Sequence, residues 1–230
     1  MKKIWKTLKI VVGAYLLQTI MSVFAVIVYV VVNRPDIDNI NYDIVFNYLM
    51  IGTTLSTIPT IIYILKKYPR KKEKVNIKKL LLMIPLGFGL SWLFNMMTIN
   101  LQEDNMLMSL STWLLVLFTV ILGPIFEELV FRYVALKKGE EEYSKKKALI
   151  IVSIAFGLMH TGIIGIIYAF LIGLILGWLY QKESSITYSI VLHMAANLAS
   201  LFVVDFNIIF LIVSICLLIG SCYGYKKLTN

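Results

Sequence analysis

Residues 123–132, Gly-Pro-Ile-Phe-Glu-Glu-Leu-Val-Phe-Arg, put two adjacent carboxylates, Glu127 and Glu128, and the guanidinium of Arg132 inside a long apolar run. The chain's two histidines, His160 and His193, fall in two further apolar runs, each with a companion four residues away: Phe156 before the first and Asn197 after the second. Ionisable groups at membrane depth cost about 2.5–3.5 kcal/mol each on insertion scales, so they mark function by default. A single membrane histidine or asparagine usually does no more than bond between helices. The set as a whole is that of proton-transfer chemistry: a carboxylate to take a proton, imidazoles beside it, and an amide able to hold an oxygen on which charge develops.

Spacing divides the labour. Glu128 and Arg132 are four apart with the acid first, so on a helix they share a face in the favoured order, and Arg132 holds Glu128 ionised and neutralised. Glu127 is turned about 100° away on the same helix and has no partner there. A desolvated carboxylate without a partner is the better proton acceptor of the two, which suits a general base. Gly123-Pro124 just upstream predicts a break, because proline removes one helical hydrogen bond and clashes with the preceding turn. That break gives water a way in beside Glu127.

The elements that must position these groups are membrane helices. Of 230 residues, 59% are hydrophobic and only 15% charged, with a mean hydropathy of +0.83, values beyond a soluble domain with a polar surface. The apolar runs predict an all-α, polytopic membrane helix bundle of about eight helices: Leu8–Val32, Ile44–Leu65, Leu80–Ile99, Met106–Lys137, Ala148–Ile163, Ile164–Tyr180, Ile186–Val204 and Ile208–Tyr223. Each run approaches the ~20 residues that cross a bilayer. Of the 22 lysines and arginines, 20 lie in the segments 1–9, 66–79, 137–147, 182 and 226–227. Positive loops stay cytoplasmic, which puts both termini inside. The net charge of +9 is thus topogenic and needs no nucleic acid. No repeat or linker divides residues 1–230, so one integral membrane domain is expected, at the cell membrane.

Rise per residue sets depth. Taking Lys137, Lys147 and Ser185 as cytoplasmic helix ends, Glu127 lies about 15 Å deep, His160 about 20 Å and His193 about 12 Å. Three helices therefore bring polar groups to one level. Elsewhere, Gly173-x-x-x-Gly177 predicts close helix packing inside the bundle. The Thr53, Thr54, Ser56, Thr57 and Thr60 band around Pro59 predicts hydrogen-bonded packing near a kink.

Glu127-Glu128-x-x-x-Arg132, then Phe156-x-x-x-His160, then His193-x-x-x-Asn197, in this order on successive helices, resembles the CPBP family of intramembrane proteases. That family includes the type II CAAX prenyl endopeptidases and the bacterial Abi proteins. The resemblance covers about residues 106–204. It implies peptide-bond hydrolysis within the membrane, with Glu127 and His160 activating a water and His193 and Asn197 forming the oxyanion site. By the same resemblance Glu128 supports the site, Arg132 orients it, and Phe156 belongs to it. Glu127, His160 and His193 would make a fair zinc set, yet the same residues activate water without a metal, and the soluble motif His-Glu-x-x-His is absent. No obligatory metal is favoured.

The implied partner is a membrane-associated peptide or protein substrate in the lipid bilayer. Two other roles fit single features: a non-proteolytic bacteriocin-immunity or peptide-binding protein, and a small proton-coupled transporter using Glu127 as a relay. The topology is testable with Cys216 and Cys222 replaced. A cysteine introduced at Lys71 should react with an impermeant maleimide only after the cells are opened, and one at Asp104 should react in intact cells.

Overall fold

A computed structural model describes residues 2–35, 40–68, 74–98, 112–202 and 207–229. The regular structure of those residues is helical, with no strand among them. In chain order they form α1 (Lys2–Asn33), α2 (Tyr42–Lys67), α3 (Ile77–Thr98), then α4 (Thr112–Leu115), α5 (Gly123–Glu127) and α6 (Lys137–Glu142). These last three are joined by the π-helical stretches Val116–Leu122 and Glu128–Leu136 into one continuous rod, residues 112–142. The chain continues as α7 (Lys145–Leu158), α8 (Ile163–Glu183), α9 (Ile186–Ser200) and α10 (Ile208–Lys227). Asp36, Asp38, Glu103, Asp104 and Asp205, and the expected helix ends at Ile99, Met106 and Val204, lie outside the described residues.

Five of these helices, α1, α2, α3, α8 and α10, are long and apolar enough to cross a membrane. The other three stretches expected to span are the rod, α7 and α9, and the motif residues lie on them or, for His160, just beyond α7. α7 and α9 are only 14 and 15 residues long, and the π-helical stretches divide the rod into short α-helical pieces. Ends are fixed locally. Side chains of Asn41, Ser144, Ser185 and Asn207 accept from backbone N–H groups of the first turns of α2, α7, α9 and α10, supplying donors that a helix start leaves unpaired.

The rod is the centre of the bundle: every residue from Glu128 to Leu136 is buried. α1 runs along it and alongside α2; α7 and α8 form a hairpin; α9 packs between the rod, α8 and α3; α10 closes on α3. Outward faces carry apolar side chains, among them Phe24 and Ile27 of α1, Ile58 of α2 and Ile219 of α10, as lipid contact requires.

Small residues let the helices approach. A Cβ at Gly177 would lie 2.4 Å from Leu149 Cδ1, and one at Gly173 would lie 3.1 Å from Phe156 Cδ1. The Gly-x-x-x-Gly motif thus works inside the bundle, between α7 and α8. The Thr/Ser band of α2 bonds back to its own helix, as Thr60 does to the Ser56 carbonyl at 2.8 Å. It also meets α1, where Gln18 donates to Thr57 at 2.9 Å and Ser22 pairs with Thr53 at 2.7 Å.

At the lysine-rich ends, ion pairs tie neighbouring helices: Lys6 with Glu142 at 2.8 Å and Lys79 with Glu183 at 3.0 Å. Tyr225 bonds to the same Glu183.

α9 is held against α3 at Gly87, where a Cβ would sit 2.8 Å from Ala195 Cβ, Ala196 N and Leu192 O. Gly87→Val should push α9 away and lower stability by about 1–3 kcal/mol, read as the unfolding midpoint in detergent. Gly13 of α1 has nothing within 4 Å of its Cβ position, so Gly13→Ala should raise the midpoint, by about 1 kcal/mol of helix propensity.

Candidate active site

Glu127 closes α5 and Glu128 opens the following π-helical stretch. Wide turns of this kind are rare and concentrate at functional sites. Upstream, the other π-helical stretch runs into Gly123 and Pro124, where a Cβ on Gly123 would meet the Phe118 carbonyl oxygen at 2.7 Å. The expected break at Gly123-Pro124 is therefore a widening of the helix: the looser turns make room where proline would clash with the turn before it.

The ion pair read from the spacing is present. Arg132 Nη1 lies 3.0 Å from Glu128 Oε1, with the two side chains 1% and 0% exposed. Arg132 Nη2 donates to the Gly173 carbonyl at 3.3 Å, and its guanidinium stacks 4.2 Å above the Phe156 ring. Glu128 Oε1 also receives His193, whose Nδ1 is 2.9 Å away. On the far side of the same ring, His193 Nε2 faces Glu127 Oε2 at 3.5 Å. The result is a chain, Arg132 to Glu128 to His193 to Glu127, whose last member is the one with access: the Glu127 side chain is 21% exposed.

Proton counting follows from the partners. An ionised Glu128 only accepts, so His193 Nδ1 carries a hydrogen. His193 Nε2 and Glu127 Oε2 then share the remaining choice: a proton on the ring makes an imidazolium between two carboxylates, and a proton on Glu127 leaves the ring neutral.

Phe156 is fully buried and touches most of the site. Its ring meets His160 at 4.8 Å, Phe131 at 5.0 Å and His193 at 5.8 Å, all edge to face. His160 stands just beyond α7, in the turn 159–162, rather than inside the expected fifth helix. The helix ends early because Met159 and His160 bond back only three residues, to Phe156 and Gly157, and Gly162 takes φ 69°, which glycine adopts readily. His160 Nδ1 is 2.9 Å from the Phe156 carbonyl. A carbonyl cannot donate, so Nδ1 bears the hydrogen and a neutral ring presents Nε2 as an acceptor.

Asn197 is half-buried one turn beyond His193 on α9, and its Nδ2 donates to the Thr119 carbonyl at 2.8 Å, on the first π-helical stretch. The structure thus joins Glu127, Glu128, Arg132, His193 and Phe156 by direct contact, and His160 through the Phe156 ring. His193 is the imidazole against Glu127; His160 forms no hydrogen bond or ion pair with that carboxylate among the described residues. Nor do three His, Cys, Asp or Glu side chains converge there as a metal-binding group. Both His193 nitrogens face carboxylates and His160 Nδ1 faces a carbonyl, so Glu127, His160 and His193 do not fit a zinc site as placed.

One residue escaped the sequence reading. Tyr15 of α1 packs edge-on against Phe126 at 5.7 Å and Phe131 at 6.0 Å, the aromatic residues on either side of the glutamate pair. The available signal was a phenol about 10 Å along the helix from Lys9, deeper than the interfacial belt where tyrosines collect.

Residues 109–199 match the family model described as type II CAAX prenyl endopeptidase Rce1-like. No curated protein and no solved structure matches the chain. The family match bears out the resemblance carried by the three motifs. It contains every site residue named above except Tyr15.

Because Arg132 and Glu128 are buried together, removing one leaves a charge unpaired. Arg132→Met should cost about 3–5 kcal/mol of stability, measured by unfolding in detergent. Adding Glu128→Gln to that variant should restore more than half of the loss.

Proposed function

We propose, taking the Rce1-like match as premise, that this multi-pass membrane protein is an intramembrane endopeptidase. It hydrolyses a peptide bond of a membrane-associated protein or peptide, at the cell membrane and with both termini cytoplasmic. The observation that carries the reading is the buried chain from Arg132 through Glu128 and His193 to Glu127, which ends in a single accessible carboxylate.

In this mechanism a water lies between Glu127 and the accepting Nε2 of His160. Glu127 takes a proton from it as the water oxygen bonds to the substrate carbonyl carbon. The carbonyl oxygen gains the electron pair of its π bond. Protonation of Glu127 releases its hold on His193 Nε2–H, and that donor turns to the oxyanion. Asn197, one turn along the same helix, supplies a second donor from its amide. Collapse of the tetrahedral intermediate breaks the C–N bond, and Glu127 returns its proton to the leaving nitrogen. Glu128, fixed by Arg132, keeps the His193 ring oriented throughout. No step requires a metal.

The test compares peptide termini in membranes of cells that carry the wild-type chain or Glu127→Gln at matched levels. The amide keeps the shape and loses the base, so termini that depend on the wild-type chain should fall by at least about 100-fold. Identical profiles, with the variant still performing its cellular role, would replace this reading with non-proteolytic peptide binding.

A further inference from the structure

Residues that act on Glu127 need not lie on the three motif-bearing helices, and α1 supplies one. Tyr15 sits outside the segment matched by the Rce1-like family. Its ring is wedged between Phe126 and Phe131, at 5.7 and 6.0 Å and interplanar angles of 61° and 65°. Val11 and Ala14, one turn back and next in sequence, belong to the same buried cluster as the rod residues Phe126, Leu129 and Val130. The ring is thereby held in the seam between α1 and the rod, across the face from which Glu127 projects, and its hydroxyl lies near enough to that carboxylate to feel its charge.

Packing alone does not call for that hydroxyl. A phenylalanine would fill the same seam, and a phenol placed among apolar groups is unfavourable without a partner. Beside a carboxylate, a phenol can only donate. Among the described residues, Glu127 faces His193 Nε2 at 3.5 Å on α9. The carboxylate is therefore approached by two helices, with an imidazole on one side and a phenol on the other.

We infer that Tyr15 is a positioning residue for the proposed hydrolysis: its hydroxyl donates to the Glu127 carboxylate and fixes the orientation in which that carboxylate takes the proton from water. This inference rests on the proposed function. It makes α1 part of the working site, where the family match alone would leave it as a neighbouring helix.

The experiment uses the full chain purified in detergent, added to membranes from cells carrying Glu127→Gln, whose uncut proteins are the substrate. Initial rates of terminus formation are measured against membrane concentration for wild type, Tyr15→Phe, Tyr15→Leu and Glu127→Gln, with unfolding midpoints in parallel. Tyr15→Phe should lower kcat about 10- to 100-fold, with KM and the midpoint unchanged. Tyr15→Leu should add a fall in the midpoint. If Tyr15→Phe matches wild type and only Tyr15→Leu is impaired, the residue is packing and the inference is overturned. If Glu127→Gln cuts as well as wild type, the proposed function itself has failed, and the role of Tyr15 falls with it.

Discussion

An arginine and a glutamate buried side by side constrain most of this bundle. Neither Arg132 nor Glu128 can be left alone in a medium of low dielectric, and their mutual attraction offsets desolvation only when further partners complete the geometry. Those partners come from other helices. The Gly173 carbonyl of α8 and the Phe156 ring of α7 take the guanidinium, while His193 of α9 takes the carboxylate. The glycine at position 173 lets α7 and α8 close around the arginine, whose Nη2 would lie 3.5 Å from a Cβ there. Four separate stretches of chain are thus fixed relative to one another by a single pair of charges.

The same pair separates structure from chemistry. Glu128 is fully enclosed and committed to two cationic or cation-capable neighbours, so it has little freedom to act. Glu127, its neighbour in sequence, lies at the exposed end of the network and faces His193 Nε2. Two identical side chains, adjacent in sequence, differ in burial and partners, and on the proposed function that difference divides their roles. On the proposed function, one carboxylate ties the helices together while the other stays available to water.

Much of this was legible in residue types and spacing. The all-helical membrane architecture follows from the apolar runs, the Glu128–Arg132 pair from i, i+4 spacing, and the close packing of α8 inside the bundle from Gly173 and Gly177, although not that α7 is the helix it meets. Rise per residue led to an expected common depth for Glu127, His160 and His193; of the two imidazoles, it is His193 that faces Glu127. Rotation was harder to read. Which imidazole faces Glu127 depends on how α7 and α9 are turned about their axes, and the turn at Gly162 takes His160 off the helical register altogether. The π-helical stretches left no trace in periodicity, since hydrogen bonds one residue longer barely alter a nine-residue apolar pattern. Tyr15 was hidden for a different reason: its relevance comes from a helix packed against the rod from more than a hundred residues away.

The wide turns of residues 128–136 also bear on how the protein is made. A helix of that form is seldom stable by itself, so this stretch depends on the neighbours that enclose it, and α7, α8 and α9 all emerge later in synthesis than the rod. While the nascent chain is incomplete, Glu128 and Arg132 lack three of their partners, and Glu127 lacks its imidazole. Hydrolytic competence on this reading arrives only with the last of those helices, which keeps a half-built chain from cutting the membrane proteins that surround it during insertion.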